Sequence, residues 1–166
     1  VVVAAGNDSR DINTNIYSPA SYGSRYQGMV TVGAMNGSNN AICSFSNFSA
    51  VRVELAAPGC EEANGRTGLL STITGGAYGR MAGTSMASPV AAGAASLAFG
   101  LIKNRTGNAP SPALLEEVLL AGSRVEAGLG SQIKGGKTVD LKVLGEEINQ
   151  RFPASSSTPP PKVECP

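Results

Sequence analysis

The segment RMAGTSMASPVAAGAASL, residues 80–97, decides the fold of this chain. Small and apolar residues run without a charge from Ala87 to Ile102, which predicts a helix over about 85–103. Because this run is apolar on every side, we expect the helix to be buried all round. Ser85 stands at its start. A serine there is most often a helix cap, but the free N–H groups and the dipole of a helix N-terminus also favour negative charge.

Composition limits the class of protein. The chain has 166 residues, the size of one domain, with 42% hydrophobic and 15% charged residues and 21 glycines. Its net charge is +1, so nothing points to a nucleic acid or an anionic membrane surface as partner. No apolar stretch reaches the roughly 20 residues of a membrane span. The longest, 90–102, is shorter and alanine-rich, so we expect no membrane span.

Short apolar runs outside this helix predict strands. Residues 1–5, 29–34 and 51–59 indicate buried strands, and residues 41–49 alternate weakly enough for a further short one. Thr74-Gly75-Gly76 predicts the turn of a hairpin. Buried strands that alternate with helices favour an α/β fold with a mostly parallel sheet.

Two later helices carry clear start and stop signals. Ser111 is expected to cap the first, with Pro112 in its opening turn and Gly122 after its end. Asp140 is expected to cap the second. Beyond Phe152 the sequence becomes rich in serine and proline. We therefore expect a folded part over residues 1–152 and an extended linker or tail over 153–166.

Catalysis by Ser85 would need more than a helix start. A serine hydroxyl requires a base within hydrogen-bond reach and donors aimed at the developing oxyanion. Gly83 and Ala87 would let a substrate carbonyl approach the backbone closely. The chain contains no histidine, so it holds no obvious base.

The residues around Ser85 resemble a known motif. GTSMASP at 83–89, followed by VAAG, is similar to the active-site serine motif of the subtilisin-like serine proteases. Val90 replaces a histidine usual in that family, but not the catalytic one. The resemblance covers residues 1 to about 150 in family order and implies a three-layer α/β sandwich, here only its C-terminal portion. It includes the segments VVVAAGND, YSPASY, MVTVGAM, FSNFS and VELAAPG.

This resemblance implies roles for individual residues. Ser85 would be the nucleophile, and the Asn7 side-chain amide and the Ser85 N–H would be the oxyanion donors. The wall of the pocket for the residue before the scissile bond would come from Ala4, Ala5 and Gly6. An ordinary turn after a strand is the alternative for Asn7.

The other substrate contacts implied by the resemblance are less defined. Tyr17 or Ser18 would lie at the base of the pocket, where a tyrosine would shorten it and a serine would leave it open. Both could equally be ordinary loop residues. Thr84 is expected to contact substrate beside the nucleophile, and the Ser18–Pro19 peptide bond is expected to be cis.

The catalytic triad is incomplete in this chain. In the family, the aspartate and the histidine precede the oxyanion asparagine, whereas this chain begins six residues before Asn7. A serine endopeptidase acting through an acyl-enzyme at Ser85 would need both from a separate N-terminal segment of the same protease. The alternatives are an inactive fragment and a non-catalytic, protease-like binding or scaffold module. An α/β-hydrolase would need a histidine after the serine, and none follows.

The resemblance also implies partners and a compartment. We expect a peptide or protein substrate, a propeptide or protein inhibitor with a zymogen stage, and a secreted or extracytoplasmic location. Cys43, Cys60 and Cys165 leave open one disulfide with a thiol, or a bond to a missing segment. No cofactor is expected, apart from a structural calcium. Some relatives bind a cation through loop carbonyls, and in this chain the corresponding carbonyls lie near Ala20 and Tyr22.

Overall fold

The structure is a computed structural model that describes residues 1–60, 62–63 and 66–154. Its regular elements, in chain order, are β1 (Val2–Ala4), β2 (Val30–Met35), β3 (Leu55–Pro58), β4 (Glu62–Ala63), β5 (Arg66–Thr67), β6 (Leu69–Ile73), β7 (Ala77–Met81), α1 (Thr84–Thr106), α2 (Pro112–Ala121), β8 (Arg124–Val125), β9 (Lys137–Thr138) and α3 (Leu141–Arg151). Short 3-10 helices occupy Ala20–Arg25, Ala127–Leu129 and Lys134–Gly136.

A mostly parallel sheet forms the centre of the fold. Its strand order is β1-β2-β3-β9-β8, and only β8 runs antiparallel to its neighbour. β4 pairs with β5, and β6 with β7, in two antiparallel ribbons. The predicted α/β class is confirmed.

The sheet is the middle of three layers, with the helices on one face and loops with short 3-10 helices on the other. Alternate residues of β2 point to opposite faces, so Val30, Val32 and Ala34 pack against the helices. The helices α1, α2 and α3 all lie in this core cluster. Met35 packs on the other face with residues of the loops and 3-10 helices, among them Ile12 and Ile133.

Helix α1 is buried along one stripe only, so the expected burial all round is not observed in the described part of the chain. Its inward residues recur every three or four positions and face the sheet and the other two helices: Ala87, Ala91, Ala94, Ala98 and Ile102. Leu97 and Phe99 point away and are 48% and 36% exposed. The helix begins and ends close to the predicted bounds.

Helix α1 bears on the expectation that the chain has no membrane span. Helix α1 is long and apolar enough to cross a bilayer by length and composition, with a mean hydropathy of 1.5. In the structure α1 packs against β1, β2 and β3, and 28% of its apolar stretch is buried.

The predicted helix caps are confirmed. The Ser111 hydroxyl accepts a hydrogen bond from the N–H of Leu114 at 3.2 Å. Asp140 accepts from Lys142 and Val143 in the first turn of α3. Helix α3 ends at Arg151, but residues 155–166 lie outside the described residues, so the boundary at 152 stays a prediction.

The strand predictions were less accurate. Strand β3 covers only the end of the predicted 51–59, because the N–H groups of Val51 and Arg52 donate to the Ser49 hydroxyl in a turn. Residues 41–49 form isolated bridges rather than a strand. The hairpin is confirmed, with positive φ at Gly75 and Gly76. β8 and β9 were missed, since two residues carry no periodicity.

One disulfide joins the loops that follow β2 and β3. Cys43 bonds to Cys60, with their Cα atoms 6.1 Å apart. The pairing that the sequence left open is thus settled for these two cysteines. Cys165 lies outside the described residues.

Candidate active site

The candidate site lies where the turn after β1 meets the start of α1. Asn7 follows β1, and Gly59 follows β3, at the carboxyl ends of two parallel strands. The N–H of Gly83 donates to the carbonyl of Gly59 at 2.9 Å. This bond holds the N-terminus of α1 at the carboxyl edge of the sheet, where open α/β sheets bind their ligands.

The side chain of Asn7 is oriented by Thr84. Asn7 Oδ1 accepts hydrogen bonds from the backbone N–H and from the hydroxyl of Thr84, both at 2.9 Å. The N–H of Gly6 donates to the same hydroxyl at 3.1 Å. A backbone N–H can only donate, so the Asn7 atom that faces it is the oxygen. The amide nitrogen Nδ2 therefore points away from Thr84.

Two N–H donors border the same small space beside Gly83. A Cβ atom built on Gly83 would lie 3.4 Å from Asn7 Nδ2 and 3.7 Å from the backbone nitrogen of Ser85. A side chain at position 83 would fill the space between these donors. The φ of Gly83, +156°, is also one that L residues rarely adopt. Glycine at this position keeps the space open.

Ser85 lies in the first turn of α1 with an exposed side chain. The next two N–H groups, of Met86 and Ala87, donate to the carbonyl of Gly83. Among the described residues, the N–H of Ser85 has no acceptor. It is therefore free to bind an oxygen of a ligand, and the helix dipole favours negative charge there.

Thr84 does not face the open side of the site. It is 1% exposed, and its hydroxyl both donates to Asn7 and accepts from Gly6. The substrate contact expected of Thr84 from the sequence stays a prediction.

Tyr17 lies directly against Gly6. A Cβ atom on Gly6, whose φ is +100°, would come within 2.7 Å of Tyr17 Cε1. The Tyr17 backbone exchanges two hydrogen bonds with buried Ser21, through the Ser21 hydroxyl and N–H. Tyr17 is 41% exposed. The ring is thus held beside the turn that carries Asn7.

The remaining expected pocket residues occupy the same region of the fold. Ala4 ends β1 half-buried, while Ala5 is fully buried and donates its N–H to Val32 at 2.9 Å. Ser18 is exposed, and its peptide bond to Pro19 is cis, as expected.

One further residue, Asn47, bonds to the turn that carries Asn7. Asn47 is fully buried, and its side chain contacts the turn on both sides of Asn7. Asn47 lies in FSNFS, one of the segments that resemble the subtilisin-like serine proteases, but that resemblance implied no role for it. Its contacts arise from residues about 40 positions away, with sequence separations of 39 and 42.

The described residues provide no base for Ser85 and no metal cluster. Asp11 accepts a bond from the N–H of Asn13 in its own loop, and the chain has no histidine. No group of three acidic, cysteine or histidine side chains could hold a metal in the described part. The carbonyl of Ala20 accepts from the buried Thr31 hydroxyl at 2.8 Å, so this oxygen faces into the protein. A carbonyl oxygen has two lone pairs, so this single bond does not decide whether a cation binds there, and the structural calcium stays a prediction.

Comparisons with known proteins identify the family of this chain. The subtilase family model matches residues 1–134. An extracellular basic protease of Dichelobacter nodosus is 33% identical over 89% of this chain and 24% of its own length. Halolysin of Haloferax mediterranei is 36% identical over 84% of this chain and 23% of its own length. The chain therefore spans about a quarter of the curated relatives that it matches.

Solved structures show the same fold. A protease from Pseudoalteromonas arctica superposes with a TM-score of 0.66 at 28% identity, over 87% of this chain and 41% of that one. A cold-adapted subtilisin-like serine proteinase superposes with a TM-score of 0.64 at 29% identity, over 82% of this chain and 43% of that one. The fold is subtilisin-like, and this chain belongs to the subtilase family.

Proposed function

We propose that this chain is the C-terminal part of the catalytic domain of a serine endopeptidase, with Ser85 as the nucleophile. The observation that carries the proposal is the pair of donors beside Gly83, Asn7 Nδ2 and the Ser85 N–H. A carbonyl oxygen placed between them would lie next to the Ser85 hydroxyl. This is the arrangement that acyl transfer requires.

The reaction would follow the serine-protease sequence. The Ser85 hydroxyl attacks the substrate carbonyl carbon while a histidine takes its proton, and the oxyanion accepts bonds from Asn7 and the Ser85 N–H. The histidine then protonates the leaving amine, and water hydrolyses the acyl-enzyme. Loss of one oxyanion donor costs roughly 10²–10³ in turnover, a figure measured in a subtilisin and thus in this family.

The substrate pocket would be short. Ala4, Ala5 and Gly6 would form one wall, and the position of the Tyr17 ring against Gly6 favours Tyr17 over Ser18 as the residue that closes the base. A phenol ring there leaves little depth, so we propose a preference for small side chains before the scissile bond.

The histidine and aspartate would come from an N-terminal segment of the same protease. Two features support such a partner. Within the described residues β1 pairs on one side only, with β2. Beside it, a groove of about 220 Å³ is lined by apolar residues that include Val1, Val30 and Phe99. A segment that adds a strand to β1 would cover both features.

A secreted location fits the same protease. The curated relative from Dichelobacter nodosus is named an extracellular protease. The Cys43–Cys60 bond also fits an oxidising compartment. A propeptide or protein inhibitor, and with it a zymogen stage, belongs to the same proposal.

The first test is an intact mass spectrum of the purified protein under denaturing, non-reducing conditions. A second polypeptide beside the 16.8 kDa chain, with a sequence that contains the aspartate and the histidine, would supply the missing triad residues. A fluorophosphonate probe should then label Ser85, and the Ser85→Ala variant should remain unlabelled. If the two-polypeptide protein is not labelled by the probe, the proposed protease function is wrong and a non-catalytic binding or scaffold module is the better proposal. A spectrum with only the 16.8 kDa chain would mean that the sample lacks the histidine and aspartate, so that any protease activity belongs to the longer protein that contains this chain.

A further inference from the structure

Asn47 uses every hydrogen-bonding position of its side-chain amide. Nδ2 donates to the carbonyl of Ala5 at 2.9 Å and lies 3.4 Å from a carboxylate oxygen of Asp8. Oδ1 accepts from the N–H groups of Asp8 and Arg10, both at 3.0 Å. A primary amide offers two donors and two acceptor sites, so this buried side chain is fully satisfied.

These partners bracket Asn7 along the chain. The side chain of Asn47 bonds to Ala5 before it and to Asp8 after it. The backbone N–H of Asn47 donates to the carbonyl of Gly6 at 2.8 Å. Asn47 thus bonds to the residues on both sides of Asn7, and the orientation of the Asn7 backbone depends on it.

Asn47 is in turn anchored to the sheet. The buried Ser46 hydroxyl donates to the Asn47 carbonyl at 2.9 Å and accepts from the N–H of Ala34 in β2 at 3.0 Å. The disulfide at Cys43 holds the start of the same segment. The turn that carries Asn7 is therefore connected through Asn47 to a central strand.

We propose that Asn47 is a positioning residue of the oxyanion site, and that it aims Asn7 Nδ2 by fixing the turn on both sides of Asn7. This inference rests on the proposed function for its catalytic consequence. Aspartate has nearly the same shape, but it would lose both donors and place a carboxylate against the Ala5 carbonyl and Asp8. Glutamine is longer by one methylene, and the space beside Gly6 is already filled by the Asn47 amide.

The catalytic test uses Asn47→Asp in the protease with its N-terminal segment, normalised by active-site titration. We expect kcat to fall about 10- to 100-fold with KM changed less than about twofold, because a displacement of about 1 Å costs that much. In an Asn7→Ala background, Asn47→Asp should have little further effect on kcat. If the two losses multiply, or if kcat is unchanged, the proposal is wrong.

Ser123→Ala is the matched control. The Ser123 hydroxyl is largely buried and donates to the Leu120 carbonyl at 2.7 Å, at the end of α2 and outside the contacts around Asn7. Its loss should lower stability and leave kcat unchanged. If Asn47→Asp does not fold, Asn47→Ser removes the same two donors in a smaller side chain.

A second measurement does not depend on catalysis. Amide hydrogen exchange by NMR should quicken about tenfold or more at Asp8 and Arg10 in Asn47→Ala, which removes their shared acceptor Oδ1, while amides within α1 keep their rates. Unchanged exchange at Asp8 and Arg10 would overturn the positioning role whatever the activity. Quickened exchange in a protein with no protease activity would support the hold on the turn and reject the proposed function instead.

Discussion

At the scale of single residues, Thr84 orients much of the site although its side chain is buried. It gives two hydrogen bonds to Asn7 Oδ1 and accepts one from Gly6. This triple contact decides which end of the Asn7 amide points toward Ser85. Its burial excludes water that could compete for the same groups.

Thr84→Val should lower kcat/KM by about 10- to 30-fold, because it removes the two hydrogen bonds of the hydroxyl, to Asn7 and from Gly6, each of about 1 kcal/mol. Valine keeps the shape of threonine, and the backbone N–H of residue 84 still donates to Asn7. Thr84→Ser keeps the hydroxyl and should retain most of the activity. Steady-state kinetics on a peptide substrate, with active-site titration, decides the matter. Equal kcat/KM for the valine variant and the native protein would contradict the role.

Tyr17→Ala should deepen the substrate pocket. The variant removes the ring beside Gly6, so cleavage after phenylalanine relative to alanine should rise by about 10- to 100-fold. Tyr26→Ala is the control, since Tyr26 is 62% exposed at the surface. The ratio of kcat/KM for two peptides that differ only at that residue measures the change. A constant ratio would place Tyr17 outside the pocket.

At the scale of elements, the three helices differ in how their N-termini are satisfied. Ser111 and Asp140 cap α2 and α3 with their side chains, whereas Gly83 gives α1 no side-chain cap. The first N–H of α1 bonds to Asn7 and the second, of Ser85, has no acceptor among the described residues. Helix α1 therefore keeps its second N–H for a ligand, whereas α3 uses its own second N–H, that of Lys142, on the Asp140 cap.

Ser111→Ala should destabilise the fold by about 1 kcal/mol, since it leaves the N–H of Leu114 without its partner. Ser111→Asp restores an acceptor and should recover most of that loss. Urea unfolding followed by circular dichroism measures the shift in midpoint. An unchanged midpoint for the alanine variant would mean that solvent satisfies this N–H equally well.

At the scale of the whole molecule, a buried carboxyl group couples stability to pH. Glu54 is 2% exposed, with one oxygen 3.4 Å from the N–H of Thr31 and the other 3.9 Å from Lys134 Nζ. Burial raises the pKa of Glu54 above its ordinary value, and the nearby charge of Glu116 adds to this, while Lys134 opposes it. The Glu54 carboxyl therefore stays protonated to a higher pH in the folded protein than in the unfolded chain.

Glu54→Gln should change the pH dependence of stability in a defined direction. The protonated group stabilises the fold most below the unfolded pKa of 4.5, and that contribution is lost as pH rises through the higher folded pKa. Native stability relative to the glutamine variant should therefore decrease as pH rises above 4.5. Urea unfolding across this range measures it, with exposed Glu146→Gln as control. A pH-independent difference would show that Glu54 titrates normally.

The sequence by itself determined the features that depend on neighbouring residues. The caps of α2 and α3, the glycine turn of the hairpin and the extent of α1 all follow from short-range spacing and from the hydrogen-bonding groups of a few residues. The motif around Ser85 likewise identified the family, since it lies in seven consecutive positions. Such information is local, so it survives without knowledge of the fold.

Only the tertiary structure decided the features that join distant segments. Asn7 and Thr84 are 77 residues apart, and the contacts of Asn47 span about 40 positions, so no local pattern reports them. The pairing of Cys43, the contact of the Tyr17 ring with Gly6 and the buried face of α1 depend in the same way on how strands and helices pack. A sequence states which groups are present, but the parallel sheet decides which of them meet, because it brings the ends of separate strands to one edge.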